Sequence, residues 1–231
     1  MSHHESRPIR LSGNSHIAEG RRQYVYEHPS DPGSLIKVNK PEKPHEPKGS
    51  IKRFFSRFRY NGEYQDFLRE FKEYLELKER SQTPDGALPL CEVRGIVQTD
   101  LGLGLVYEKI ANADGNLAPT LKDLINSGGI GQRQLAELND HFRTLMDNRV
   151  ALSNFNLKNI VYQSDAEGRG RFVWIDSFGS KQFVPLRKWF KSLNDRKLRQ
   201  IRASCLTAIA AVAANDKMSK VQEMVSQLPA V

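Results

Sequence analysis

The run SLIKV sets one lysine, Lys37, between Ile36 and Val38 inside an otherwise apolar stretch. A short apolar run of this kind, bounded by turn residues, is the signature of a β-strand, and residues 34–38 are expected to form one. Asp31-Pro32-Gly33 ahead of it reads as a turn. A buried ammonium needs an anion beside it, because desolvating it without a partner is costly. Two placements are open: a cleft that holds an anion, or an edge strand with the lysine in solvent. The helix that follows offers Glu70 on the face that would look back at the strand. If the two pair, the lysine is fixed and directed at a polyphosphate.

A second constraint lies further along. Asn159 precedes the apolar residues Ile160 and Val161, and Asp176 follows another apolar run over 172–175. Two oxygen ligands at opposite ends of a hairpin, 17 residues apart in sequence, can converge on one hard cation. Mg²⁺ takes one or two protein oxygens together with waters and substrate phosphates, so an amide with a carboxylate is a workable set. The alternative is that both residues cap turns, a common use of Asn and Asp.

Strands are expected over 23–28 and 34–38, then a proline-punctuated exposed linker over 39–49. Residues 51–60 (IKRFFSRFRY) place phenylalanines at helical spacing among four cations, suited to a membrane surface, a partner, or a cap on the core. Over 65–81, Phe67, Leu68, Phe71, Tyr74, Leu75 and Lys78 mark the expected inner face of a helix, which Thr83-Pro84-Asp85-Gly86 ends. Strands over 92–99 and 103–110 follow, with a loop at 112–116. Thr120 caps a helix running to Asn126, stopped by Gly128-Gly129. Another helix spans 131–148, with Leu135, Leu138, Phe142, Leu145 and Met146 inward. Strands at 160–163 and 172–175 enclose a turn at 165–170. Two basic helices, 186–194 and 195–214, and a weak last one before Leu228 complete the expectation.

The chain of 231 residues can hold one sizeable core or two small lobes. Its most apolar stretch, 203–214, is too short to cross a bilayer. No apolar segment follows the polar start MSHHESRPIR, so no secretory signal is expected. Cys91 and Cys205 have no metal-like spacing and suit small buried hydrophobes in a reducing cytoplasm. The net charge of +8 is concentrated. Residues 38–60 hold seven Lys/Arg against two acids, and residues 181–202 eight against one, which leaves the remainder net acidic. Such segments are either solvated faces or attractors of phosphate-rich partners.

Taken in order, a strand lysine, a helix glutamate, a strand into a hinge and an Asn-to-Asp hairpin follow the layout of phosphoryl-transfer enzymes. The segments IRLSGNSHIAEGRRQYVYEHP, SLIKV, LREFKEYLEL, GLGLVYEKIANADG, DNRVALSNFNLKNIVY and FVWIDSFG resemble the protein kinase-like superfamily. More closely, they resemble the PhoP-regulatory-network protein YrbL family of Gram-negative bacteria. The resemblance runs from about Ile9 to Trp189.

It implies an α+β, bilobal protein-kinase-like fold: a small antiparallel-sheet N-lobe over 9–110 with a basic insertion at 39–62, and a reduced, mostly helical C-lobe over 111–231. It implies ATP and Mg²⁺ as cofactors. By position, Gly20 lies in the phosphate-covering turn, Lys37 contacts phosphates and Glu70 is its partner. The backbone of Glu108 to Ile110 forms the adenine-binding hinge, and Asn159 and Asp176 hold the metal.

The departures are informative. Asn154 stands where the resemblance implies a catalytic aspartate, with Leu152 two residues earlier. An amide positions a hydroxyl but cannot take its proton, and loss of a general base typically slows a reaction about 10²–10⁴-fold. The metal motif is stretched to Asp176-Ser177-Phe178-Gly179, and no activation segment is recognisable after it. The expectation is therefore an atypical Mg-ATP phosphotransferase of a bacterial stress or envelope network acting on an anionic substrate. The alternative is a pseudokinase-type regulator docking a protein partner through its basic helices. A cytoplasmic location is expected, with peripheral contact at the inner membrane through 51–60. No nucleic-acid motif is present, which argues against a nucleic-acid partner.

Overall fold

The computed structural model describes residues 7–41, 64–81, 88–152, 155–179 and 191–215. The basic aromatic segment 51–60, the turn at 83–86, Asn154, residues 186–190 and the helix before Leu228 fall outside them. The chain forms two compact units: Met1–Leu68 with Val93–Lys109, and Arg69–Glu92 with Ile110–Val231. Residues 69–92, counted with the first lobe from the sequence, group with the second unit.

The first unit is a five-stranded antiparallel sheet. Its strands are β1 (Ala18–Glu19), β2 (Gln23–His28), β3 (Asp31–Asn39), β4 (Val93–Thr99) and β5 (Gly102–Glu108), in the order β1-β2-β3-β5-β4. The alternation of β3 sends Ile36 and Val38 to one face, where they pack with Leu11, Tyr26 and Val106. Gly104 permits this packing, since a Cβ there would lie 2.5 Å from Ile36 Cγ2. Residues 7–12 run beside β4, with Asp100 Oδ1 accepting from the Leu11 amide at 2.7 Å.

The expected turn at Asp31-Pro32-Gly33 is displaced. The turn lies at Pro29-Ser30, and β3 already begins at Asp31. Side-chain bonds hold this start extended: Asp31 accepts from Gly33 N (3.0 Å) and Ser34 Oγ (2.5 Å), and Arg94 donates to Gly33 O (2.9 Å).

Between β3 and β5 in sequence lies α1 (Gln65–Arg80), whose residues from Arg69 onward belong to the second unit. Its inner face differs from the expected one. Phe67, Glu70, Glu73, Tyr74 and Leu77 are buried, whereas Leu68 is 59% and Leu75 49% exposed and Lys78 is exposed. Glu70 faces inward as expected, and Glu73 joins it there while Leu68 and Leu75 face out.

The rest of the second unit is mainly helical: α2 (Leu121–Asn126), α3 (Gln132–Asp147) and α4 (Lys191–Asn215), with the hairpin β6 (Ile160–Ser164) and β7 (Gly170–Trp174). Thr120 caps α2 through a reciprocal box with Asp123, as its position suggested. All five apolar residues expected inward on α3 are buried, joined by Asn139 and His141. One continuous helix replaces the expected break at 194/195. Asn194 and Asp195, which look like a polar interruption, are buried within it. Asn194 Nδ2 donates to Val150 O at 3.1 Å, and Asp195 lies 3.5 Å from Lys191 Nζ.

The expected α+β composition, a small antiparallel sheet followed by a mainly helical half, is thus present. Cys91 and Cys205 are both buried free thiols. Among the described residues, no helix is long and apolar enough to cross a membrane.

Candidate functional site

In the first unit, β3 carries Lys37 to the face opposite the Leu11 cluster, in register with Val25 on β2 and Leu105 on β5. The lysine is 8% exposed, and its Nζ stands 4.1 Å from the centroid of the Tyr107 ring. A cation over an aromatic face is stabilised by about 0.5–2 kcal/mol, depending on its desolvation. Tyr107 is not evident from sequence, because it reads as one apolar residue of a strand. Alternation along β5 puts it on the same side as Leu105, so the strand register exposes its role. Gly20 N donates to Gln23 O at 2.9 Å, closing the tight turn between β1 and β2. Glu108 ends β5 opposite Ser34.

In the second unit, Ile110 is buried and its carbonyl accepts from Ala118 N at 3.0 Å. Pairing of β6 with β7 brings Ile160 opposite Trp174. One step further out, Ile175 N donates to Asn159 O at 2.9 Å. Asn159 and Asp176 thereby flank the same end of the hairpin. Asn159 closes a 3₁₀ turn (Leu157–Asn159) capped by the Asn156 side chain. The Asp176 backbone is held from inside: the fully buried Trp174 donates its indole Nε1–H to Asp176 O at 2.7 Å.

Beyond Asp176 the chain turns sharply. Ser177 has φ +60, a left-handed conformation that is costly for a residue with a Cβ. Its amide donates to Asp176 Oδ1 at 2.8 Å and to Glu70 Oε1 at 3.1 Å. Glu70 is therefore a buried acceptor for the backbone next to Asp176. Three residues along the same helix, Glu73 Oε1 accepts from Ala151 N at 3.0 Å.

Residues 9–206 of this chain match the family described as PhoP regulatory network protein YrbL. The chain belongs to that family. Two curated relatives, both described as uncharacterized protein YrbL, come from Escherichia coli and Shigella flexneri. Each is 29% identical over 186 residues, which is 79% of this chain and 79% of the relative. Among solved structures, a crystal structure of WbdD shares 14% identity and a TM-score of 0.41, and WbdD co-crystallised with a kinase inhibitor shares 13% and 0.41. Each covers 90% of this chain, which spans about half (48%) of the length of WbdD.

Asn159 and Asp176 both carry side-chain oxygen, the donor type that a hard cation takes. Two other polar groups lie inside the second unit. His141 on α3 is buried, its ring parallel to Trp174 (interplanar angle 8°) at 6.5 Å. Burial, with a hydrogen bond to the Phe172 backbone opposing and the nearby Arg171 charge assisting, pushes its pKa down to about 3. Tyr162 donates its hydroxyl to Glu137 Oε2 at 2.6 Å, and burial followed by that carboxylate pushes its phenol up to about 12. Both are neutral at physiological pH and serve the packing of α3 on the hairpin.

Proposed function

We propose that this YrbL-family protein binds Mg-ATP and acts as an atypical phosphotransferase in a bacterial stress or envelope regulatory network. The observation that supports the reading is that Asn159 and Asp176 flank the same end of the β6–β7 hairpin. In this reading the two oxygens hold Mg²⁺, which would neutralise charge on the nucleotide phosphates. Lys37 contacts the phosphates with Glu70 as its partner, the turn at Gly20 covers them, and backbone groups of Glu108 and Ile110 receive the adenine. Asn154 orients the acceptor hydroxyl without taking its proton.

A second reading is favoured by one specific feature, the amide at Asn154. In that reading the protein binds nucleotide without turnover, or merely keeps the fold, and regulates a partner that docks on its basic segments. The first reading requires nucleotide binding, so that is the first test. A thermal-shift titration with Mg-ATP should raise the melting temperature of the wild type, less so for Lys37→Ala and Asp176→Ala. No shift at millimolar nucleotide, or the same shift in Lys37→Ala, overturns the proposal. ATP turnover that is lost in Asp176→Ala separates the enzyme from the regulator.

A further inference from the structure

We infer that Glu73 is a positioning residue for Asp176, acting through the backbone of residues 150–152. The inference rests on the metal-binding reading for its consequence, and on hydrogen bonds within the second unit for its geometry. The peptide between Val150 and Ala151 is clamped from both sides. Asn194 Nδ2 on α4 donates to Val150 O at 3.1 Å, and Ala151 N donates to Glu73 Oε1 on α1 at 3.0 Å. Gly179 N donates to Ala151 O at 2.7 Å, and Leu152 forms an antiparallel bridge with Phe178. Segment 150–152 is thus zipped to the segment that follows Asp176. Gly179 is required at this join: its φ is +89, and a Cβ would stand 3.0 Å from Arg69 O and 2.6 Å from Arg69 Cγ.

Glu70 and Glu73 divide the work. They are three residues apart and so lie on one helix face. Glu70 takes the amide of Ser177, in the segment that carries Asp176. Glu73 takes the amide of Ala151, in the segment that leads to Asn154. Glu73 is 1% exposed. Burying a carboxylate is costly, and an apolar side chain of the same volume would serve packing alone at least as well. What the carboxylate adds is a fixed acceptor for the Ala151 amide. That acceptor sets the 150–152 segment against 178–179, and with it the backbone that follows Asp176.

The test compares Glu73→Gln, which retains an acceptor, with Glu73→Leu, which retains volume alone. A fluorescent ATP analogue is titrated with Mg²⁺ and again in EDTA, and amide exchange is followed by mass spectrometry over 149–152 and 176–179. Wild type and E73Q are expected to match in both assays. E73L is expected to lose about tenfold in Mg²⁺-dependent affinity, from an unmet buried donor, with its affinity in EDTA unchanged. Its exchange should rise in both segments together while α3 stays protected. Wild-type affinity in E73L with Mg²⁺, or faster exchange at 149–152 alone, overturns the inference. If the wild type binds no Mg-nucleotide, the proposed function fails and the paired exchange decides the role of Glu73 by itself. Should E73L not fold, Glu73→Asp withdraws the carboxylate by one methylene, and the same directions are expected.

Discussion

Lowering the pH from 7 to 5 puts a proton on His141 in the unfolded chain but not in the folded protein. The ring is fully buried, with Phe142 and Phe172 alongside and Trp174 stacked, and its Nε2 has no hydrogen-bond partner among the described residues. A proton there would leave a charge in an apolar enclosure beside the Arg171 guanidinium, which is why the folded pKa falls from 6.5 to about 3. A depressed histidine pKa means that the unfolded state binds more protons. Its contribution is fully present above pH 6.5 and is lost as pH falls toward 3. Each pH unit in that window is worth about 1.4 kcal/mol, so at pH 5 the loss is about 2 kcal/mol. For a chain of this length that corresponds to about 4–8 °C in melting temperature. The assay is urea denaturation at pH 7, 6 and 5 for wild type and His141→Leu. The variant has its own baseline stability, so the comparison is of slopes, and its slope should be flatter by about 1.4 kcal/mol per pH unit below 6.5. Equal slopes would refute the reasoning, because some other group would then carry the acid sensitivity.

Two further outcomes follow from packing and from charge. Gly104→Ala drives a methyl against Ile36 Cγ2 and should destabilise the first unit by about 1–3 kcal/mol, read as an earlier thermal transition; an unchanged transition would mean that the sheet yields without strain. The cationic segment 51–60, if it meets anionic lipid, should sediment with phosphatidylserine vesicles at low salt and release at high salt, and binding that is absent or insensitive to salt marks it as a solvated face.

Element positions were legible where periodicity is strong. Strand β2, the capped helix α2 and the inner face of α3 follow from alternation, a Thr-to-Asp capping box and heptad-like spacing. The departures share one cause, which is polar side chains used inside. A helical wheel sends Glu73 outward and Leu68 and Leu75 inward, because it weighs each residue by its own transfer energy. It cannot see that the Ala151 amide, far along the chain, needs an acceptor. The same blindness split α4 at Asn194, which is buried because Val150 O needs a donor. Asn159 and Asp176 fall at the same end of the hairpin because strand register is local. The roles of Tyr107 and Trp174 were not found, since an aromatic residue in an apolar run gives no sign of which ring or indole hydrogen is engaged. Such conflicts between local preference and final placement concentrate where a fold serves something besides stability.

The assignment of residues 69–92 to the second unit has a consequence during synthesis. Cys91 Sγ contacts Ile175 O at 3.7 Å across a sequence separation of 84. At about 5–20 residues per second, the ribosome takes on the order of 4–17 s to supply that partner. Once Lys109 has been made the first unit is complete in sequence, while residues 69–92 still await the rest of the unit they group with. A nascent chain of this protein therefore carries a sheet whose sequence is complete attached to a helix whose unit is not. That makes the interval before Trp174 emerges the natural window for chaperone engagement or for degradation of stalled product.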